Sequence, residues 1–183
     1  MLSAVAGILM LFEFPIPIFP VFLEIDFSDL PALIASFMVN PAAGIIVIFI
    51  KIVINLLFTG TQTGFVGEAA NFFIGVSFVL PAGLVYQLKK TKTGAVIGML
   101  VGILSMAVMG GLANYYVIIP VFAKALNIPI DAIISMGKAV SPYIDSLEKM
   151  IYLSIVPFNI LKGSMSSLLA FFFYKRLSHF LKD

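Results

Sequence analysis

The stretch from Gly94 to Ile119 carries no charged side chain, and this feature limits what the chain can fold into. Such a run exceeds the ~20 apolar residues that an α-helix needs to cross the hydrocarbon core of a bilayer. Over the whole chain 61% of residues are hydrophobic and 11% are charged, whereas soluble domains are about 25% charged. The sequence therefore predicts an all-α protein that crosses the membrane several times.

Six apolar segments, separated by turns and polar loops, predict six transmembrane helices in one compact bundle over residues 1–183. Ser28 or Asp29 can cap the second helix, and Pro31 falls in its first turn. The first segment is short, because a helix of its length rises only ~21 Å. The predicted spans are 1–14, 29–40, 42–58, 68 to about 88, 94 to about 119, and about 150 to 174.

Basic residues predict the orientation, because positively charged loops stay in the cytoplasm. They cluster in the loop between spans four and five and in the C-terminal tail, at Lys89, Lys90, Lys92, Lys175, Arg176 and Lys182. With six spans, both termini are then cytoplasmic, and the loops 12–28, 59–67 and 120–149 face outside. Within the outer segment 120–149, "DAIISMGKAV" is interpreted as a short helix at the membrane surface.

Several function classes are excluded by what the sequence lacks. There is no phosphate-binding P-loop, and the single histidine, His179, falls in the cytoplasmic tail without catalytic partners. The chain has no cysteine, and a net charge of +2 is too small to indicate nucleic-acid binding. We therefore expect a binding or transport protein in the lipid bilayer, and no enzyme.

Two polar residues near the outer end of span six are the strongest functional signal. Asn159 and Lys162 are three residues apart and so share one face of the helix, which Ser166 continues. Polar side chains at membrane depth are costly and are often functional. They can bind a ligand, or they can serve packing, with an interhelical hydrogen bond from Asn159 and an ion pair from Lys162 to Asp145 or Glu148.

Other polar residues fall at or near the outer ends of the spans. Asn71 shares a face of span four with Glu68, and Asn114 lies near the end of span five. Asn127 follows in the outer segment, where a loop role is the simpler interpretation. Lys51 is the most deeply placed charge, and it either pairs with Glu68 or snorkels, or it serves the pocket or a partner interface.

Three segments carry a resemblance to a known family: "FLEIDFSDLPALIA" (22–35), "GTQTGFVGEAANFFIG" (60–75) and "PFNILKG" (157–163). Together they resemble the substrate-binding subunits of energy-coupling factor transporters, and most of all the riboflavin-specific members. The resemblance implies a six-helix protein of the cell membrane that binds its vitamin from the outside. It also implies two kinds of partner, a membrane coupling subunit and two cytoplasmic ATPases. Small residues on the first helix, here Ser3 and Gly7, would dock to the coupling subunit.

The resemblance further implies that Asn159 and Lys162 contact the flavin ring. The pyrimidine edge of a flavin offers a donor flanked by two acceptors, which an amide and an ammonium can complement. Because riboflavin is neutral, Lys162 then needs an acid nearby or a lowered pKa. The ribityl hydroxyls would bind Asn114, Asn71 or backbone groups of a loop, and Asn127 completes the candidate ligand residues.

The same resemblance makes the loop at about 15–28 a gate over the pocket. Riboflavin would be bound as the transported substrate, with no further cofactor. Two alternatives stay open on the sequence: a subunit for another vitamin, or a stand-alone small channel or structural membrane protein.

Overall fold

The structure, a computed structural model, describes residues 1–177. His179 and Lys182, which the sequence places in a cytoplasmic tail, lie outside the described residues. The fold is a helical bundle with one small hairpin. Its elements are α1 (Leu2–Met10), β1 (Phe14–Pro15), β2 (Glu24–Ile25), α2 (Asp29–Met38), α3 (Pro41–Thr59), α4 (Val66–Leu88), α5 (Lys92–Ala113), a π-helical segment π1 (Asn114–Ile118), α6 (Ile119–Ala125), α7 (Ile130–Val140), α8 (Leu147–Met150), a second π-helical segment π2 (Ile151–Ile155) and α9 (Val156–Leu177).

Four helices among the described residues are long and apolar enough to cross a membrane: Pro41–Thr59, Val66–Leu88, Lys92–Ala125 and Leu147–Phe173. They correspond to predicted spans three to six. The helices predicted as spans one and two are much shorter, at 9 residues for α1 and 10 for α2. At 1.5 Å per residue each rises only about 15 Å, about half the hydrocarbon thickness. The structure therefore supports a multi-pass helical membrane protein, with two half-length helices at its N-terminal end.

Side-chain caps set the start of two of the long helices. Asn40 Oδ1 accepts a hydrogen bond from the backbone N–H of Ala43 at 2.8 Å, and Pro41 occupies the first helical position of α3. Thr91 caps α5 in the same way, by accepting from the backbone N–H of Gly94 at 3.1 Å. These caps fix where the chain re-enters a helix after each turn.

The helix α2 lies inside the bundle. It packs against α1, α3, α4 and α9, and nearly all of its side chains are buried. Ser36, on this helix, donates to the carbonyl oxygen of Val79 in α4 at 2.9 Å. A helix covered on every side needs no membrane-spanning length, which explains how ten residues suffice here.

Small residues in two helices serve packing between neighbours. A methyl group at Gly98 or Gly102 of α5 would press on carbonyl oxygens of α4, so these glycines allow the two backbones to touch. On α1, a methyl group at Gly7 would lie 2.7 Å from Ile54 of α3. Gly7 thus faces the inside of the bundle, whereas the resemblance implies that it docks to a coupling subunit.

The loop that the sequence predicts to be irregular contains the two-stranded hairpin. β1 and β2 pair antiparallel, with Phe14 opposite Ile25 and Pro15 opposite Glu24. The bundle is therefore not purely α-helical, although the strands have two residues each.

The outer segment also differs from the prediction at its start. Residues 120–125 continue the α5 helix through π1 instead of leaving it. The predicted short helix is present as α7, Ile130–Val140, and its place at the membrane surface stays a prediction.

Candidate functional site

The first turns of α9 place Asn159 and Lys162 inside the bundle, on the shared face that their spacing predicts. Their side chains share one face, and the two residues are only 3% and 7% exposed. Asn159 Nδ2 donates to the backbone carbonyl of Ile155, one turn earlier, at 2.9 Å. No hydrogen bond to Asn159 Oδ1 is present within residues 1–177, so this oxygen can still accept one.

Asn114 meets Asn159 across a glycine. Its Nδ2 donates to the carbonyl oxygen of Gly110 at 2.8 Å, and Asn114 is itself buried. A methyl group at Gly110 would lie 2.8 Å from Nδ2 of Asn159. Both amides therefore approach the same glycine of α5, Asn114 from the next turn of the chain and Asn159 from α9.

Both asparagines adjoin π-helical segments. Asn114 is the first residue of π1, and its carbonyl oxygen accepts from the N–H of Ile119, five residues on. π2 ends at Ile155, the residue whose carbonyl holds the Asn159 amide. A π-turn holds one more residue than an α-turn and so rotates the side chains that follow, and such turns often occur at functional sites. Here they adjust which way α5 and α9 face at the depth of the two amides.

Lys162 pairs with an aspartate from the first loop. Its Nζ lies 2.7 Å from Oδ2 of Asp26, and both side chains are almost fully buried. The predicted partners, Asp145 and Glu148, were wrong: Asp145 pairs with Lys149 at 2.5 Å, and Glu148 accepts from the Tyr115 hydroxyl. The physical reason is that the first loop folds down over α9 and reaches Lys162 from above, while α8 stays at the surface.

A second buried ion pair lies next to the first. Lys51 is 0% exposed, and its Nζ lies 2.6 Å from Oδ1 of Asp29 and 2.6 Å from Oγ of Ser28. The predicted pairing of Lys51 with Glu68 was wrong, because Glu68 accepts from Thr63 at the start of α4. Asp29 is the first residue of α2, which packs directly against α3, so it is within reach of Lys51 where Glu68 is not.

The carboxylate of Asp26 is kept ionised by its neighbours. Burial alone would raise the pKa of Asp26, but the ammonium groups of Lys162 and Lys51 outweigh it and hold the pKa well below its usual range. The two aspartates and two lysines therefore form a buried group of four charges with no net charge. Buried charges are stable only when they are paired in this way.

The first loop covers the site as a lid, which we define as residues 11–28. Phe19 packs edge-to-face on Phe158 of α9, with ring centroids 5.4 Å apart. Ile25 joins the same buried apolar cluster, and Asp26 follows it into the interior. The lid is therefore held by an apolar contact and by an ion pair, both to α9. Asp26 and Ser28 were missed as site residues, although the acidic segment "DFSDLP" was the available signal.

Comparison with known proteins agrees with this architecture. The family model for "ECF transporter, substrate-specific component" matches residues 1–174. The chain belongs to this family. It is 36% identical over 182 residues to the riboflavin transporter RibU of Staphylococcus aureus, covering 100% of this chain and 89% of that protein. It is also 36% identical to the riboflavin transporter FmnP of Bacillus subtilis, covering 89% of this chain and 80% of that one.

A solved structure of the S component of a bacterial ECF transporter is similar in fold as well. It matches with a TM-score of 0.76 at 35% identity and covers 100% of this chain and 94% of its own. The resemblance drawn from the sequence is therefore confirmed. The chain is an S component, a multi-pass protein of the cell membrane that serves transport and not catalysis.

Two of the predicted ligand residues of this S component lie apart from the buried amides. Asn71 is half-buried near the start of α4, and Asn127 is exposed in the turn after α6. Asn127 has a φ of 53°, a left-handed conformation that asparagine tolerates better than most residues. Their assignment as ligand contacts stays a prediction.

The S component also has an open cleft of about 570 Å³, and none of the predicted ligand residues is among the residues that line it. It lies between the lid, at Ile18, and the outer segment, at Tyr143 and Ile144, and Ser154 of π2 is also part of its lining. The cleft therefore adjoins both the lid and the helix that carries Asn159.

Proposed function

We propose that this S component binds riboflavin in the space bounded by Asn114, Asn159 and Lys162, beneath the lid. The observation that carries the proposal is the convergence of two buried amides and one buried ammonium from α5 and α9. Its relatives in Staphylococcus aureus and Bacillus subtilis are named riboflavin transporters, which supports the same vitamin here.

The chemistry of the three side chains suits the pyrimidine edge of a flavin. Asn159 Oδ1 can accept from the ring N–H, and Lys162 has N–H donors beyond the one it gives to Asp26. Asp26 supplies the acid that a buried lysine needs next to a neutral ligand. Phe158, Phe19 and Leu161 provide apolar walls for the ring. Asn114, Asn71 and Asn127 form hydrogen bonds with the ribityl hydroxyls.

The vitamin enters from the outer face when the lid lifts, and both termini lie in the cytoplasm. The lysines between α4 and α5 support this orientation. Since the chain has no cysteine, single cysteines introduced at Lys90 and at Gln62 can report the side directly. Labelling of Gln62→Cys but not Lys90→Cys by an impermeant maleimide in whole cells is expected, and the reverse pattern would contradict the orientation.

ATP drives uptake through partner subunits, because the chain has no nucleotide-binding motif of its own. The S component docks to a membrane coupling subunit that carries two cytoplasmic ATPases. Reconstituted vesicles holding this complex are expected to accumulate riboflavin only with ATP, and vesicles holding the S component alone are expected not to.

The spectrum of the detergent-purified protein tests the ligand. Bound flavin is expected to colour the preparation yellow and to have quenched fluorescence until the protein is denatured. In titrations of ligand-free protein, Asn159→Ala is expected to weaken binding by about 1–3 kcal/mol, the cost of leaving a buried polar group unpaired. A colourless protein that quenches no added riboflavin, but binds another vitamin in a competition panel, would replace the flavin with that vitamin.

A further inference from the structure

Ser28 joins the two buried ion pairs. It is 0% exposed and is the last residue of the lid, directly before α2. Its hydroxyl oxygen accepts a hydrogen bond from Lys51 Nζ at 2.6 Å, and its O–H donates to Oδ1 of Asp26. The network therefore runs from Asp29 through Lys51, Ser28 and Asp26 to Lys162.

The side-chain hydroxyl of Ser28 does not cap the helix that follows it. Ser28 precedes α2, and a serine there usually accepts a hydrogen bond from a backbone N–H in the first turn of its helix. Ser28 makes no such side-chain bond. Its side chain serves the ion pairs instead, which points to a role beyond starting the helix.

The two oxygens of the Asp26 carboxylate have different hydrogen-bond partners. Oδ1 accepts from the hydroxyl of Ser28 and also from its backbone N–H at 2.6 Å. Oδ2 faces Lys162 Nζ at 2.7 Å. With Oδ1 held twice, the carboxylate cannot rotate, so Oδ2 stays in one place for Lys162.

A lysine depends on such a neighbour more than an arginine does. Its ammonium is a compact charge on a flexible stem, and one ion pair alone leaves its direction free. We propose that Ser28 is a positioning residue of the ligand site, which fixes Asp26 and, through it, the Lys162 ammonium that meets the bound vitamin. The inference rests on the proposed riboflavin function. It also gives Lys51 a role, which is to hold the Ser28 hydroxyl from the side of α3.

Removing the hydroxyl alone tests this role. Ser28→Ala leaves all four charges in place and is expected to weaken riboflavin binding about fivefold to tenfold, the effect of one misplaced hydrogen bond. At saturating ligand, the absorption band of the bound flavin is expected to shift, because the hydrogen bond from Lys162 to the ring changes. If Ser28→Ala does not fold, Ser28→Cys, whose thiol is somewhat larger and a much weaker donor and acceptor, takes its place.

Ser36→Ala is the matched control. Ser36 is an equally buried serine of α2, but its hydroxyl donates to Val79 and has no link to the ion pairs. Ser36→Ala is expected to lower the melting temperature about as much, with the affinity and the flavin band unchanged.

Three results would overturn the inference: no change of affinity in Ser28→Ala, an affinity loss without a band shift, or the same affinity loss in Ser36→Ala. A failure of the unchanged protein to bind riboflavin would instead contradict the proposed function, so the two failures are distinguishable.

Discussion

The two halves of α5 use glycine in different ways. In the first half, a methyl group at Gly98 or Gly102 would lie 2.6 Å or 2.7 Å from the carbonyl oxygens of Ala82 and Phe78 in α4. In the second half, a methyl group at Gly110 would lie 2.8 Å from the side-chain amide of Asn159 in α9. The distances are nearly equal, but the first contact is with backbone and the second is with the end of a side chain.

This difference assigns the first half of α5 to the scaffold of the fold and the second half to the proposed ligand site. A helix backbone cannot yield without moving the whole helix, because protein interiors are close-packed. A side-chain amide can rotate away about its own bonds at much lower cost. Substitutions in the first half of α5 should therefore damage the fold, and substitutions in the second half should damage ligand binding.

Gly98→Ala is expected to have the largest effect. The added methyl group would force α4 and α5 apart, and overpacking of this kind costs about 1–3 kcal/mol of folding stability or more. Thermal unfolding of the detergent-solubilised protein should show a clearly lower melting temperature.

Gly163→Ala is the control for Gly98→Ala, because the nearest neighbours of its methyl group would be side chains, Ile103 at 3.2 Å and Met106 at 3.4 Å, with the Ile103 backbone at an ordinary 3.7 Å. Equal melting temperatures for the two variants would argue against the scaffold role of the first half.

Gly110→Ala is expected to lower affinity while changing stability less than Gly98→Ala. The methyl group would push the Asn159 amide from its place, and we expect about a tenfold loss of riboflavin affinity, the effect of one lost hydrogen bond. Fluorescence titration and thermal unfolding measure the two quantities separately.

The same Gly163→Ala variant serves again, since the nearest neighbours of its methyl group would be Ile103 and Met106 of α5 and not the side-chain amide of Asn159. If Gly110→Ala lowers stability as much as Gly98→Ala and leaves affinity intact, the division of α5 does not hold.

A smaller effect is expected from pH at the lid. Burial, followed by the charges of Glu24 and Asp26, raises the pKa of Glu13 from 4.5 to about 7, against the opposing charges of Lys162 and Lys51. A raised pKa means that the closed lid holds the proton more tightly than an open lid with an ordinary pKa. The contribution of protonated Glu13 to keeping the lid closed is thus complete below pH 4.5 and is lost as the pH rises through about 7.

Riboflavin release, followed by the return of flavin fluorescence, is therefore expected to be slower at about pH 6 than at about pH 8. In Glu13→Gln, which cannot ionise, this difference should be much reduced. An unchanged pH dependence in that variant would assign it to another group.

Part of this molecule could be predicted from local sequence alone. Apolar length predicted α3, α4, α5 and the last helix, and helical spacing placed Asn159 and Lys162 on one buried face. Asn114 was named as a candidate ligand residue from its depth in span five, and the structure buries it. Each of these predictions depends on residues that are close in the chain.

What the sequence could not predict depends on contacts between distant segments. Lys162 pairs with Asp26 across 136 positions, and Lys51 pairs with Asp29 across 22. Several acids were available to each lysine, and only the path of the lid selects among them. The π-helical segments have no distinct residue pattern. The interior place of α2 also depends on its neighbours, since its apolar residues fit a membrane span equally well.

The short first helix has a consequence for the surroundings of the lid. With 9 residues, α1 rises only about 14 Å, about half the hydrocarbon thickness. The next residues expose Phe12, Phe14, Ile18 and Val21 on the outside, which suits acyl chains better than water. Opening the lid would then displace lipid, and hydrophobic mismatch at this edge would add to the work of opening. We expect the exchange of vitamin to be sensitive to the thickness of the outer leaflet in which the protein is embedded.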